Sequence, residues 1–371
     1  MTPDYHNSFL LRDELRALGW RADILVDRHY PALLLYSNKE ILHMWNVRNA
    51  NKYFSLFLSL FQYLYFLIRY RNHCYFGKLP NYFRLPKILN RYIESNGFTL
   101  HLWLAKIFRN KIIYVPSGCL DEFTKAEFLQ FDKGNVCNNC GSWDICNDIV
   151  NILNFKRVRR YSSLNIGSGA FESKQFNQEH IRYRSLDLEK WKPELEIPKE
   201  FQKKFNHQFT ILHSFFDENR RYLNRNIKGT PSIKVAIEKL KEEGFDIELV
   251  IASKVPISEM RFLQAQVDIV IDELLYGWHG SMTIECLALG KPVICYLRDE
   301  SRKLFELNFP DAPTIPIISA QPSNLTDVLR SLLISPEQLK VIGIESRRFA
   351  ESHFDVAKNA TDFARILRNL S

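Results

Sequence analysis

The sequence predicts an α/β fold with two domains, each built on a parallel β-sheet. The chain has 371 residues, enough for two domains of ordinary size. It is 46% hydrophobic and 25% charged, which is typical of a chain that folds around a globular core. In the second half, short β-branched runs alternate with helical patterns, and this alternation is typical of parallel sheets.

The stretch 267–296 is the most informative part of the sequence. A β-branched strand over 267–271 is followed by an exposed, shaped loop and a short helix. Ser281 is a suitable N-cap for that helix, and Gly290 is suited to end it in the left-handed conformation. A second strand follows over 292–296. The loop opens at the carboxyl end of a strand, where open α/β sheets bind ligands.

Glu285 stands in the first turns of this otherwise apolar helix. The helix dipole favours an ionised carboxylate there, and a carboxylate can accept hydrogen bonds from the two hydroxyls of a ribose. The alternative is a surface glutamate that helps the helix to begin.

The run Glu285-Cys286-Leu287-Ala288-Leu289-Gly290-Lys291-Pro292-Val293 resembles the Glu-Ala-Met-Ala-x-Gly-x-Pro-Val pattern of sugar-nucleotide glycosyltransferases of the GT-B architecture, group 1 or family 4-like. The resemblance implies two Rossmann-like domains facing a cleft, with a C-terminal helix that crosses back to the first domain. It also implies that Glu285 holds the ribose of the donor. Many retaining members carry another glutamate eight positions earlier, where this chain has Gly277.

The expected domains are a first domain over residues 1–195, a nucleotide-sugar-binding domain over 196–355 and a returning helix over 356–371. In the first domain, a strand over 111–115 leads into Pro116-Ser117-Gly118-Cys119-Leu120-Asp121. Asp121, or the adjacent Glu122, is a candidate base for the acceptor, and an ordinary helix-capping aspartate is the alternative. The usual first strand of such a domain is not visible before the helix predicted over 8–18.

Four cysteines lie close together in the sequence: Cys119, Cys137, Cys140 and Cys146. A Cys-x-x-Cys pair with two further cysteines at loop-like distances matches a closed, structural zinc site. An iron–sulfur cluster and four reduced thiols without metal are the alternatives.

A phosphate site is predicted around Gly229. Pro231 suits the first helical position and Thr230 the cap, while Gly229 lets a ligand approach the backbone. Arg225 and Lys228 supply two cations beside a helix N-terminus, which is a favourable place for an anion. A solvated basic loop is the alternative, and the resemblance implies that these two cations hold the donor diphosphate.

Charge and hydropathy limit the partners. The net charge of +8 suits polyanions, phosphorylated small molecules or an anionic membrane, but no aromatic-basic nucleic-acid motif is visible. The N-terminus does not have the pattern of a signal peptide, so cytoplasmic residence is expected, with peripheral contact at the inner membrane face as a further option. The apolar run 53–70 is either a core helix or a membrane-surface helix with basic flanks.

The expected function is transfer of a hexosyl group from a UDP- or GDP-linked sugar to a glycan, lipid-linked or other acceptor, as in polysaccharide biosynthesis. Arg225, Lys228 and the backbone N–H groups of Gly280, Ser281, Met282 and Thr283 would stabilise the leaving diphosphate without a divalent metal. The alternatives are a non-catalytic partner subunit of a glycosyltransferase and a zinc-containing polyanion-binding protein.

Overall fold

The computed structural model describes residues 7–26, 41–43, 52–79, 95–140, 146–214, 227–253 and 255–370. The chain forms two compact units. The first unit comprises Met1–Phe128, Cys146–Arg184 and Ala357–Ser371, and the second comprises Leu129–Ile145 and Ser185–Val356. The Leu129–Ile145 segment therefore belongs to the second unit, although the chain on both sides of it belongs to the first.

The described strands lie in parallel sheets, as the sequence predicts. The first unit holds a four-stranded sheet in the order β3-β4-β5-β6 and a two-stranded sheet of β1 and β2. The second unit holds a four-stranded sheet in the order β10-β9-β7-β8. The strands are β1 (Ile24–Val26), β2 (Ile41–His43), β3 (Asn72–Phe76), β4 (Lys111–Val115), β5 (Leu164–Gly167), β6 (Glu179–His180), β7 (Phe209–Ser214), β8 (Ile247–Ala252), β9 (Ile269–Ile271) and β10 (Val293–Ile294).

Helices precede, connect and follow these strands. In chain order the described α-helices are α1 (Asn7–Ala17), α2 (Lys52–Arg69), α3 (Leu100–Ile107), α4 (Cys119–Glu122), α5 (Lys125–Asp132), α6 (Asn135–Asn139), α7 (Asp148–Tyr161), α8 (Thr230–Glu242), α9 (Ile257–Ala265), α10 (Ser281–Ala288), α11 (Asp299–Asn308), α12 (Leu325–Ile334), α13 (Pro336–His353) and α14 (Val356–Leu370). The helix predicted over 84–96 lies almost wholly outside the described residues.

Both faces of the first unit's main sheet are covered, because successive side chains of a strand point to opposite faces. Ile112 and Tyr114 of β4 pack against α2, α3 and α7. Ile113 and Val115 pack on the other face against α1 and α14. The last helix therefore returns to the first unit, which confirms the prediction from the sequence.

The second unit differs from the prediction at one strand. The sequence also predicts a strand over 314–318, but these residues contribute one isolated bridge between Ile294 and Ile318. Pro313 and Pro316 carry no backbone N–H, so the segment cannot form a continuous ladder. Along the part of the chain that the structure describes, no helix combines the length and the hydropathy that crossing a membrane requires.

Candidate active site

A buried ion pair marks the carboxyl edge of the second unit's sheet. Asp272 directly follows β9, and its Oδ1 lies 2.6 Å from the Nζ of Lys228. Its Oδ2 accepts a hydrogen bond of 2.7 Å from the Thr283 hydroxyl. Burial alone would raise the pKa of Asp272, but the Lys228 ammonium and the Thr283 hydroxyl outweigh burial and lower it. Asp272 is therefore an ionised group that holds Lys228 and the first turn of α10 together.

A second polar contact supports the start of α8. The Nδ1 of His213, near the end of β7, lies 2.8 Å from the carbonyl oxygen of Ile271. Since a carbonyl can only accept, Nδ1 carries the proton. The Nε2 lies 2.8 Å from the Thr230 hydroxyl at the first residue of α8. His213 thus connects two strand ends to the helix that follows Lys228.

Both helices at this edge begin after a glycine. Gly229 is the N-cap of α8, with φ of 79°, and Gly280 is the N-cap of α10. The predicted caps Thr230 and Ser281 are instead the first helical residues, so those two assignments were wrong. Thr230 directs its hydroxyl to His213 rather than to its own helix. Ser281 and Met282 are partly exposed, and the first N–H groups of a helix have no partner within it, so this end can receive an anion.

Asp272 lies beside both glycine turns, since it pairs with Lys228 and its Oδ2 would stand 3.6 Å from a Cβ placed on Gly280. A Cβ placed on Gly229 would stand 3.0 Å from the Cβ of Leu274, in the loop after β9. The backbone N–H of Leu274 also donates to the Lys228 carbonyl at 3.4 Å. Lys228, the start of α8 and the start of α10 are therefore linked through Asp272 and Leu274 at one edge of the sheet.

Glu285 is a buried residue and not a surface one. It is 8% exposed, and its Oε2 accepts a hydrogen bond of 2.7 Å from the side-chain amide of Gln264. Gln264 lies on α9 and is fully buried. The carboxylate is therefore held in one direction by a neutral donor, which fixes its position before any ligand binds.

Gly290 ends α10 as the sequence predicts. Its φ is 68°, and Lys291 donates its backbone N–H to the Cys286 carbonyl at 2.9 Å, which is the Schellman arrangement. A Cβ on Gly343 of α13 would stand 2.4 Å from the carbonyl oxygen of Gly290. Small residues at both positions let α10 and α13 approach each other at this point.

The loop 272–280 is mostly buried, although the sequence predicts an exposed loop. Leu274, Trp278 and His279 are buried in the second unit. Gly277 has φ of 85°, and a Cβ there would stand 2.5 Å from the Nε of Arg298. Arg298 therefore occupies the space that an acidic side chain at position 277 would need.

Arg298 ties this loop to the Leu129–Ile145 segment. Its Nη2 donates to Asp132 Oδ1 at 2.5 Å and to the Tyr276 carbonyl at 2.7 Å. Its guanidinium carbon lies 4.6 Å from the centre of the Phe131 ring. The Asn135 amide adds a hydrogen bond of 2.8 Å to the Leu275 carbonyl. Two side chains of the segment thus hold one side of the loop.

In the first unit, Asp121 closes the turn after β4. Its Oδ2 accepts the backbone N–H of Ser117 at 3.0 Å and lies 3.4 Å from the Ser117 hydroxyl. Burial raises the pKa of Asp121, and the Ser117 N–H partly offsets that rise. Asp121 therefore shapes the turn, and its role as a base stays a prediction.

Glu122 and His180 form a second polar group at the same edge. Burial raises the pKa of Glu122 to about 7, although Gln178 donates to its Oε1 at 2.8 Å, and nearby Asp121 adds to the rise. His180, at the end of β6, accepts the backbone N–H of Gly169 on its Nδ1 at 3.1 Å. Burial lowers the pKa of His180.

The predicted zinc site has no support in the structure. Among the described residues, which include all four cysteines, no three His, Cys, Asp or Glu side chains are grouped so that they could hold a metal ion. Cys119 and Cys146 belong to the first unit, while Cys137 and Cys140 belong to the second.

Arg225, which the sequence predicts as a phosphate ligand, lies outside the described residues. Several other site residues could not be predicted. Asp272, Gln264, Arg298 and Asp132 act through partners that are distant in the sequence, so no local spacing indicates them. One signal was present for Asp272, because a charged residue directly after a buried parallel strand commonly lies at the ligand-binding edge.

The sequence itself matches no protein-family model and no curated protein. Solved structures do match over almost the whole chain. Sucrose-phosphate synthase from Thermosynechococcus elongatus is 14% identical, with 97% of this chain and 91% of that chain covered and a TM-score of 0.60. HepE from Anabaena, in complex with UDP and glucose, is 12% identical, with 98% and 95% covered and a TM-score of 0.59. A glycosyltransferase from Rickettsia africae is 14% identical, with 100% and 96% covered and a TM-score of 0.56. The chain therefore has the GT-B fold of these glycosyltransferases.

Proposed function

We propose that this protein is a glycosyltransferase that moves a hexosyl group from a UDP- or GDP-linked sugar to a glycan or lipid-linked acceptor. The observation that carries the proposal is the edge of the second unit's sheet, where the Lys228 ammonium, held by Asp272, meets the starts of α8 and α10. The fold supports it, and one structure of similar fold is a complex with UDP-glucose. A panel of nucleotide sugars, assayed by thermal shift and by hydrolysis, tests both the activity and the choice of donor.

The proposed chemistry is electrostatic. Breaking the bond between sugar and diphosphate builds negative charge on the leaving group, and fixed positive groups lower the barrier. Lys228, Arg225 and the N–H groups at the start of α10 would supply that charge. We propose that these groups perform the role that a divalent cation has elsewhere, since the chain contains no Asp-x-Asp motif.

Glu285 is proposed to hold the ribose of the donor. Its carboxylate is buried beside the start of α10 and is fixed by Gln264. A carboxylate accepts hydrogen bonds from both hydroxyls of a diol, and a charged acceptor binds about twice as strongly as a neutral one.

Glu285→Gln should therefore lower the affinity for UDP or GDP, by roughly tenfold or more, because it removes a charged acceptor without changing the size of the side chain. Calorimetry measures this loss, and the loss should be smaller for a 2′,3′-dideoxy nucleotide, which has no diol. Gln264→Leu is the matched variant, since it removes the positioning hydrogen bond but keeps the carboxylate. Equal losses for both nucleotides would show that Glu285 only supports the helix.

We propose that the Asp121–Glu122 pair accepts the proton of the attacking hydroxyl. A general base is most effective when its pKa lies near the working pH, and the pKa of Glu122 is raised to about 7. The backbone N–H of Ser117 holds the Asp121 carboxylate in place, and Asp121 contributes negative charge beside Glu122. On this proposal kcat/KM rises through pH 7 in the natural protein.

Glu122→Gln should change how stability depends on pH. The folded protein keeps the Glu122 proton up to about pH 7, whereas an unfolded glutamate loses it near 4.5. Unfolding therefore releases a proton between these values, and the free energy of unfolding falls as the pH rises, by up to about 3 kcal/mol. Urea titrations at pH 5 and pH 8 should show a smaller fall in the variant. A fall equal to that of the natural protein would mean that Glu122 titrates normally, and the pH profile of kcat/KM would then have another origin.

A further inference from the structure

The first unit carries an apolar surface on the outer sides of α2 and α3. Four large side chains of α2 follow one another at helical spacing and point outward. Phe57 is 63% exposed, Phe61 61%, Tyr65 51% and Ile68 76%. Soluble proteins expose single apolar residues commonly, but contiguous groups of this size mark binding surfaces.

The neighbouring helix extends this surface. Trp103, Ile107 and Phe108, in and just after α3, are also exposed. The Tyr63 hydroxyl of α2 donates to the His101 carbonyl of α3 at 2.9 Å, so the two helices are in contact. Their inner residues pack on the same face of the sheet, so their outer sides point away from it in the same direction. We call this surface the α2–α3 face.

The two chain segments that carry the α2–α3 face hold charges of one sign. Residues 52–71 and 100–111 contain six lysines and arginines and no aspartate or glutamate. Arg69, Arg71 and Arg109 are exposed near the helix ends. The guanidinium carbon of Arg69 lies 5.7 Å from the centre of the Tyr65 ring, so a cation stands directly beside the apolar residues.

We infer that the α2–α3 face docks on an anionic lipid bilayer. Aromatic and aliphatic side chains with basic neighbours, on helices too short or too polar to cross, are typical of helices that lie in the membrane interface. A second copy of the chain would bring two surfaces of like charge together, which the Coulomb energy opposes. The docking would place the first unit at the surface where a lipid-linked acceptor lies. That last step rests on the proposed function, whereas the docking itself does not.

The test is sedimentation with vesicles of phosphatidylcholine alone and of phosphatidylcholine with phosphatidylglycerol. The natural protein should pellet with the anionic vesicles and much less with the neutral ones. Phe61→Ser with Ile68→Ser should weaken binding about tenfold or more, because both side chains leave the bilayer. Arg69→Gln with Arg71→Gln should weaken vesicle binding by roughly thirtyfold, and high salt should also weaken it.

The matched control replaces two equally exposed side chains of the second unit, Val235→Ser and Leu307→Ser, which should leave vesicle binding unchanged. Thermal unfolding of each variant confirms that the fold is kept. Vesicle binding that is absent in the natural protein, or unchanged in the α2–α3 variants, would overturn the inference. The inference would also be overturned if the natural protein were a dimer and the variant with Phe61→Ser and Ile68→Ser a monomer, since the face would then bind a second copy. Donor binding should be the same in all these variants, which separates this test from that of the glycosyltransferase proposal.

Discussion

Replacing Lys228 with methionine should both destabilise the second unit and weaken binding of a nucleoside diphosphate. The Lys228 side chain is 13% exposed and its partner Asp272 is 1% exposed. Removing one member of a buried ion pair leaves an uncompensated charge, at a cost of about 3–5 kcal/mol. Urea unfolding measures the first effect and calorimetry with UDP and GDP measures the second.

The two effects can be separated with a second variant. Lys228→Met combined with Asp272→Asn removes both charges and keeps an oxygen that accepts the Thr283 hydroxyl, so most of the stability should return. The free energy of nucleotide binding should remain weaker than in the natural protein by roughly 1.5–3 kcal/mol, because the proposed charged hydrogen bond to phosphate is still missing. Lys234→Met, on the exposed side of α8, is the matched control and should change neither quantity. Natural affinity in the double variant would show that Lys228 serves the fold and does not bind phosphate.

Asp132→Ala should lower the free energy of unfolding of the second unit by about 3–5 kcal/mol, because it leaves the buried Arg298 without its carboxylate. The side chains of Arg298 and Asp132 are 7% and 0% exposed, so water cannot replace the lost partner. Asp132 also accepts the backbone N–H of Val136, so the first turn of α6 loses that acceptor as well. Urea unfolding measures the loss.

The control for this variant is Asp327→Ala, which breaks an exposed pair with Arg330 and should cost less than about 1 kcal/mol. Asp132→Ala combined with Arg298→Met removes both charges and should recover part of the loss. If Asp132→Ala cost no more than Asp327→Ala, the Leu129–Ile145 segment would not stabilise the loop 272–280.

The parts of the fold that could be predicted are those set by local chemistry. The strand over 111–115 is an apolar run followed directly by turn residues, and it appears at that position. Gly290 was predictable because a helix end needs a residue that tolerates positive φ. In contrast, β3 begins with Asn72 and His73, so no apolar run indicates it, and its place is set by pairing with β4.

The sequence predicts which elements carry the candidate site, but it does not predict which side chains pair with one another there. The edge of the sheet and the two helix starts follow from the strand–loop–helix pattern. The partners of Lys228, Glu285 and Arg298 lie 44, 21 and 166 residues away, and tertiary packing alone brings them together. The cysteine spacing predicted a metal site that the structure does not support, since no three possible ligands are grouped for a metal ion among the described residues.

The place of the Leu129–Ile145 segment has a consequence for recombination between enzymes of this fold. A chimaera made by joining the first 184 residues of one protein to the remainder of another would follow the gene order, but it would separate Asp132 and Asn135 from Arg298 and Leu275. In the chimaera, Arg298 would come from one parent protein and the segment that contacts it from the other. Exchanging the C-terminal half alone would therefore break these contacts, and residues 129–145 have to be exchanged together with it.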